Sequence, residues 1–305
     1  MLAHMKLRPR SERSRGLILA PAIDKKRHAG LALQRRWYAD ELRWNAKLRS
    51  ERLVTAFATV PREAFLGRGP WHILGPSQLA RGYTKSDADP RHLTHNVLVA
   101  IDARRGLNNG HPSFLAALID QLKIKDGETV YHVGCGTGYY SAIMAQMVGK
   151  DGRVVAVEVD KALAQHARRN LEGYRQVEVV NADGFSYHPG RVDAILVNAG
   201  VAHLSLVWLE IVRAKGRLIA PLTLGHWGRV LKATRATPNW HARFISPVGI
   251  YPCIGARSSS AERRLREAVA RGDAEKVRSL RLDGHERDRD CWLHGRGCCL
   301  SRRSV

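Results

Sequence analysis

The sequence of 305 residues is 44% hydrophobic and 26% charged, with a formal net charge of +22. That is enough apolar material for a full core, yet no run of 18 apolar residues occurs, which excludes a membrane-spanning helix. The five cysteines, an odd number, argue against a secreted disulfide framework and for a reducing, cytoplasmic setting.

In chain order, residues 1–28 read as a basic, disordered N-terminus. The apolar stretch Gly16–Ile23 is short, lacks a clear small-residue cleavage site and runs into Lys25-Lys26-Arg27, so it is a poor signal peptide. Met5 is an alternative start. Residues 29–58 read as helical, with Trp37, Leu42, Trp44, Leu48 and Leu53 recurring near one-turn spacing. Val60-Pro61-Arg62-Glu63 breaks the chain, because the residue before a proline avoids the helix. Residues 67–89 read as a long loop and 96–101 as a short strand. Breakers at Gly106–His111 lead to Pro112, which opens a helix over Ser113–Leu122. Residues 29–127 are thus expected to form a helical and loop region on the substrate side.

From 128 to 221 strands and helices alternate. The strands fall at 128–133, 153–158, 176–180, 192–197 and 216–221, with helices at 139–148 and 160–171 among them. This alternation predicts a doubly wound parallel sheet. Arg229–Thr234 and Trp240–Val248 add a late hairpin, which closes a core domain at 128–256. Residues 257–305 are expected to be a basic tail with a helix at 260–271.

The segment with most chemical content is Val130–Tyr140, an apolar strand running into Gly134-Cys135-Gly136-Thr137-Gly138 and then a helix. The third glycine comes one residue earlier than in the dinucleotide fingerprint G-x-G-x-x-G, and no G-x-x-x-x-G-K-[ST] phosphate loop is present. The next strand ends at Glu158, followed by Val159, and the third at Asp183-Gly184. A carboxylate at the first tip can accept both ribose hydroxyls. One at the second can accept an adenine amino group. Glycine loop, ribose acid and adenine acid at successive strand tips are similar to the S-adenosyl-L-methionine site of class I methyltransferases. Asn198, after the fourth strand, completes the expected lining, and His203 follows in the same loop. Val197-Asn198-Ala199-Gly200 is not the N/D-P-P-Y segment of amino-group methyltransferases.

With Val60-Pro61-Arg62-Glu63-Ala64-Phe65 ahead of this core, and Asp193-Ala194-Ile195, Gly216–Pro221 and Phe244–Gly249 behind it, the chain resembles the protein-L-isoaspartate O-methyltransferase family over about residues 36–256. The resemblance implies an α/β fold: a doubly wound, mostly parallel, seven-stranded Rossmann-like methyltransferase sheet with an N-terminal helical extension. It also implies carboxyl O-methylation of an isoaspartyl protein or peptide, a repair reaction. One departure stands out. Aligned on Pro112, the position of the family's acceptor-binding serine is Gly110, within Asn108-Asn109-Gly110-His111-Pro112. Asn108, Asn109 and His111 are therefore the candidates for holding the acceptor carboxylate. Two other readings stay open, an RNA methyltransferase on the same fold and a cofactor-binding protein without acceptor activity.

The charge bears on the first of these. Residues 1–36 carry ten Lys/Arg against two acids, and 257–305 thirteen against eight. These ends offer weak contact to nucleic acid or an anionic surface, but the core lacks a basic stripe with interleaved aromatics. In the tail, His285, Cys291, His294, Cys298 and Cys299 include the spacing C-x2-H-x3-C-C, which fits no standard zinc finger. The expectation there is loose terminal residues and no metal.

Overall fold

The structure, a computed structural model, describes residues 20–75, 82–237, 239–295 and 297–305, with backbone alone for 20–29. Of residues 1–28, expected to be disordered, 1–19 lie outside the described residues and 20–28 are helical instead. Helix α1 (Ala20–Ala46) begins earlier than the expected residue 29. It ends where Lys47 turns left-handed, at φ 51°. Helix α2 (Glu51–Thr59) restarts under the side chain of Ser50, which accepts the N–H of Leu53. The buried stripe runs through Tyr38, Ala39, Leu42, Leu53 and Phe57, whereas Trp37 and Trp44 are 62% and 78% exposed. Those two tryptophans are seven residues apart, so they share one face with each other and lie opposite the Tyr38–Leu42 face.

The stretch expected as a loop at 67–89 contributes instead to a small antiparallel sheet. Its strands are β1 (His72–Leu74), β2 (Thr84–Lys85), β3 (Leu98–Asp102) and β4 (Leu107–Asn108), in the order β2-β1-β3-β4. Trp71, Leu93 and Val99 form its core. The fully buried Arg62 ties it to the helices by donating to the carbonyls of Leu93, His95 and Val97 at 3.3, 3.1 and 2.9 Å.

The central sheet follows helix α3 (Pro112–Leu122). Its elements are β5 (Thr129–Val133), α4 (Tyr139–Val148), β6 (Arg153–Glu158), α5 (Lys161–Asn170), β7 (Val177–Asn181), β8 (Val192–Val197), α6 (Leu206–Ile211), β9 (Val212–Leu224), β10 (Trp227–Ala236) and β11 (Asn239–Gly249). After them come α7 (Ser259–Ala270), β12 (Ser279–Arg281), β13 (Cys291–His294) and β14 (Cys299–Ser301). The sheet order is β13-β14-β12-β11-β10-β9-β8-β5-β6-β7. Strands β7, β6, β5, β8 and β9 are mutually parallel, and the other pairs are antiparallel.

The sheet therefore has ten strands rather than seven, and residues 257–305 are folded structure rather than a tail. The cause is apolar burial: Leu265, Val277, Leu280, Trp292 and Leu300 pack into the same core as β8 and β9. Some of the tail's positive charge is also paired, in Arg257–Glu262, Arg281–Asp283, Arg281–Asp288, Lys276–Asp273 and Arg303–Asp290. The parallel half aims the loops after β5, β6, β7 and β8 to one end of the sheet, where open α/β sheets bind ligands.

Candidate functional site

A cleft of about 160 Å³ lies at that end. Its floor is the turn after β5, where Gly134, Gly136 and Gly138 all have positive φ, at 77°, 56° and 93°, a conformation that costs other residues. A Cβ on Gly136 would project across the cleft toward Ile101, 3.9 Å from its Cδ1. Glycine thus keeps this side of the cradle open.

Glu158, at the tip of β6, is only 8% exposed. Its Oε2 accepts the N–H of Gly136 at 2.8 Å, and Oε1 accepts that of Asp160 at 3.1 Å. Burial raises its pKa, against the pull of those two N–H donors. A carboxylate has about four lone-pair sites, so two remain for other donors. Asp183 also lines the cleft. Its Oδ1 accepts the N–H of Phe185 at 2.9 Å. A Cβ on Gly255 would come within 2.3 Å of its Oδ2, so only glycine lets the loop after β11 close over this acid.

The roof is the β3–β4 hairpin. Arg105 binds Asp160 at 2.5 Å, and the Tyr251 hydroxyl donates to the carbonyl of Gly106. The Leu163 N–H, and then Arg105, hold the Asp160 carboxyl below the usual range. Two carboxylates and a row of backbone groups suit a hydroxyl- and amine-bearing nucleoside. They would repel a phosphate, and the one cation among the described residues of the lining, Arg105, is already paired. The residues present therefore fit the adenosyl part of S-adenosyl-L-methionine.

Of the residues expected to bind cofactor, Gly134, Gly136, Glu158, Val159, Asp183, Gly184 and Asn198 line this cleft. Cys135, Thr137 and Gly138 do not. The Cys135 side chain packs into the core, where burial pushes its thiol pKa up. The Thr137 carbonyl accepts from Asn170 at 2.9 Å, and Gly138 admits Leu171, whose Cδ1 would lie 2.6 Å from a Cβ there. These three shape the loop from behind. Asn198 bridges two strand tips, donating its N–H to the carbonyl of Val133 at 2.8 Å.

The acceptor candidates separate as well. Asn108 lines the cleft, and its Oδ1 accepts the N–H of Gly110 at 2.8 Å. Its side chain also meets the Tyr83 hydroxyl. Asn109 is buried away from the cleft, with its Oδ1 accepting from Arg62 Nε at 3.4 Å. His111 caps α3 and pairs with Ser113 Oγ at 3.1 Å, with a pKa lowered by burial and then by Arg62. Both are held by neighbours and are absent from the lining, which leaves Asn108 alone of the three. Gly110 sits at φ 80°, and its carbonyl accepts from Tyr140 at 3.2 Å. Ile101, Arg105, Asp160, Tyr251 and Ile254 also line the cleft and were not legible beforehand. Only Asp160, an acid directly before a helix, carried a local signal.

The sequence profile of the protein-L-isoaspartate(D-aspartate) O-methyltransferase family matches residues 89–243, half of the chain. The protein-L-isoaspartate O-methyltransferase of Herpetosiphon aurantiacus is 29% identical over 228 residues, which is 73% of this chain and 91% of that one. The enzyme of the same name from Thermotoga maritima is 30% identical over 180 residues, 57% of this chain, and the match spans about half of that protein, 51%. Among solved structures, a protein-L-isoaspartate O-methyltransferase superposes with a TM-score of 0.55 at 24% identity, covering 75% of this chain and 70% of that one. A Plasmodium falciparum protein assigned to the same type, solved with S-adenosyl-L-homocysteine, gives 0.57 at 16% identity, covering 72% and 97%. The two structures establish the shared fold, and the profile match establishes kinship. The chain belongs to the protein-L-isoaspartate O-methyltransferase family of class I S-adenosylmethionine-dependent methyltransferases.

Proposed function

We propose that this chain methylates a carboxylate, that of an isoaspartyl residue in a protein or peptide or of a related acid. The observation that carries the reading is the convergence of Gly136, Glu158 and Asp183 on one cleft that Asn108 also lines. When bound, S-adenosyl-L-methionine supplies a methyl group on a sulfonium, already activated toward displacement. Glu158 would hold the ribose hydroxyls with the lone pairs left free by Gly136 and Asp160, and Asp183 the adenine amino group. The Arg105–Asp160 and Tyr251–Gly106 contacts hold the β3–β4 hairpin over the cleft.

A carboxylate acceptor is ionised at neutral pH, so no general base is required. The protein's task is alignment, which can contribute roughly 7–11 kcal/mol in favourable cases. Asn108, with the Tyr83 hydroxyl beside it, would orient that acceptor. The five cysteines are all unpaired, which supports a reducing compartment such as the cytoplasm. Among the described residues no helix is long and apolar enough to cross a membrane.

The test is incubation of the full chain with methyl-labelled cofactor and an isoaspartyl peptide, with its aspartyl isomer as control. Label on the isoaspartyl peptide that mild alkali releases as methanol is the expected result. Alkali-stable label in RNA would replace this reading with that of an RNA methyltransferase. Cofactor binding without turnover, on this peptide and on a cell lysate, would leave a binding protein.

A further inference from the structure

At the far edge of the sheet from the glycine loop, His285, Cys291, His294 and Cys299 bring one potential ligand atom each to within 4.8 Å of one another. They come from separate places: the loop after β12, both ends of β13, and the start of β14. His294 and Cys299 are register partners across the hairpin. In a regular strand Cys291 and His294, three residues apart, would face opposite sides. An irregularity in register between Cys291 and Leu293 breaks that alternation. The pattern is thus H-x5-C-x2-H-x4-C. It uses Cys299 rather than Cys298, and for that reason the C-x2-H-x3-C-C spacing hid it.

We propose that these four side chains form a structural zinc site that fastens the β13–β14 hairpin and the loop after β12 to the edge of the sheet. Two imidazoles and two thiols are a common tetrahedral zinc donor set. Bonds of about 2.0–2.3 Å place ligand atoms in such a site roughly 3.3–3.8 Å apart. Cys291 Sγ and His285 Nε2 are 3.4 Å apart here, and the whole group needs only a small contraction.

The surroundings are those of a ligand set. His285 Nδ1 lies 2.9 Å from the carbonyl of Asp283. A carbonyl can only accept, so the proton is on Nδ1 and the lone pair of Nε2 faces the cluster. The N–H of Asp288 donates to Cys291 Sγ at 3.3 Å, and that thiol donates to Asp288 Oδ1 at 3.1 Å. The same Oδ1 of Asp288 also accepts the N–H groups of Asp290 and Cys291, at 2.9 and 3.0 Å. Arg281 fixes both Asp283 and Asp288. Nδ1 of His294 is buried with no hydrogen-bond partner among the described residues, a deficit that native structures rarely leave unexplained. On binding, Zn²⁺ displaces one proton from each thiol. Two thiolates then balance the dication, and the protons leave to solvent. Four protein ligands leave no open position, so the site is structural and independent of methyl transfer.

The full chain, purified under a reducing agent that does not chelate, is expected to hold about one zinc per chain by elemental analysis. Cys291→Ser and Cys299→Ser should lose it, while Cys298→Ser, one residue away, should keep it. Because the ligand variants could misfold, the unaltered chain is also stripped with chelator and titrated with Co²⁺, which reports a tetrahedral thiolate site by its intense visible d–d bands. Absence of both zinc and a tetrahedral cobalt spectrum would overturn the proposal. So would loss of metal from Cys298→Ser equal to that from Cys299→Ser.

Discussion

The two halves of the large sheet are stabilised in different ways. In the parallel half, strands of six residues such as β6 and β8 are mostly Val, Ile, Leu and Ala, and helices pack beside them. The backbone there is secured by apolar burial, which leaves the loop tips free to present Gly136, Glu158 and Asp183. At the C-terminal edge, β12, β13 and β14 are three or four residues long, in a stretch, 279–301, whose four arginines are matched by four acids. Their apolar anchors are few, chiefly Leu280, Trp292 and Leu300. A small folded unit of that kind commonly needs a cross-link, and its His and Cys residues lie where one could form. On the two proposals made above, polar atoms bind ligand in the first half and hold the fold together in the second.

Three substitutions break or sharpen this contrast. The largest effect is expected from Trp292→Ala. The ring is 1% exposed, and its Nε1–H donates to the carbonyl of Gly272 at 2.8 Å, so truncation should cost about 3–5 kcal/mol. Hydrogen exchange should accelerate in β12–β14 and α7 well before β5–β8, and uniform acceleration would mean that the halves are one cooperative unit. Next is Glu158→Ala, which removes an acceptor of Gly136 and of the proposed ribose. Calorimetry should show cofactor affinity falling roughly 100-fold, about 3 kcal/mol, if two charge-assisted hydrogen bonds are lost. An unchanged affinity would remove Glu158 from the site.

The smallest effect is expected from Gly110→Ser, which restores the hydroxyl type that the family carries. At φ 80° a side chain costs about 1–2 kcal/mol, and its Cβ would press on Leu115 Cδ2 at 3.1 Å. The melting temperature should therefore fall without a gain in methylation of isoaspartyl peptide. A serine variant that is both as stable and more active would show that Asn108 is not the acceptor residue.

Local chemistry in the sequence by itself determined the alternating α/β core, the glycine turn, and the acids Glu158 and Asp183 at successive strand tips. Each of these is written into a few adjacent residues, through strand hydrophobicity, the need for positive φ, and the short reach from a strand end. Tertiary structure decided what depends on residues distant in the chain. Arg62 takes Asn109 out of the acceptor site from 47 positions away, and Asp160 meets Arg105 across 55. Strands of three residues show no period, so β12–β14 became legible only once they had a sheet edge to extend. The irregular register of the four-residue β13, in turn, brings the ligand atoms of Cys291 and His294 within 4.8 Å of those of His285 and Cys299.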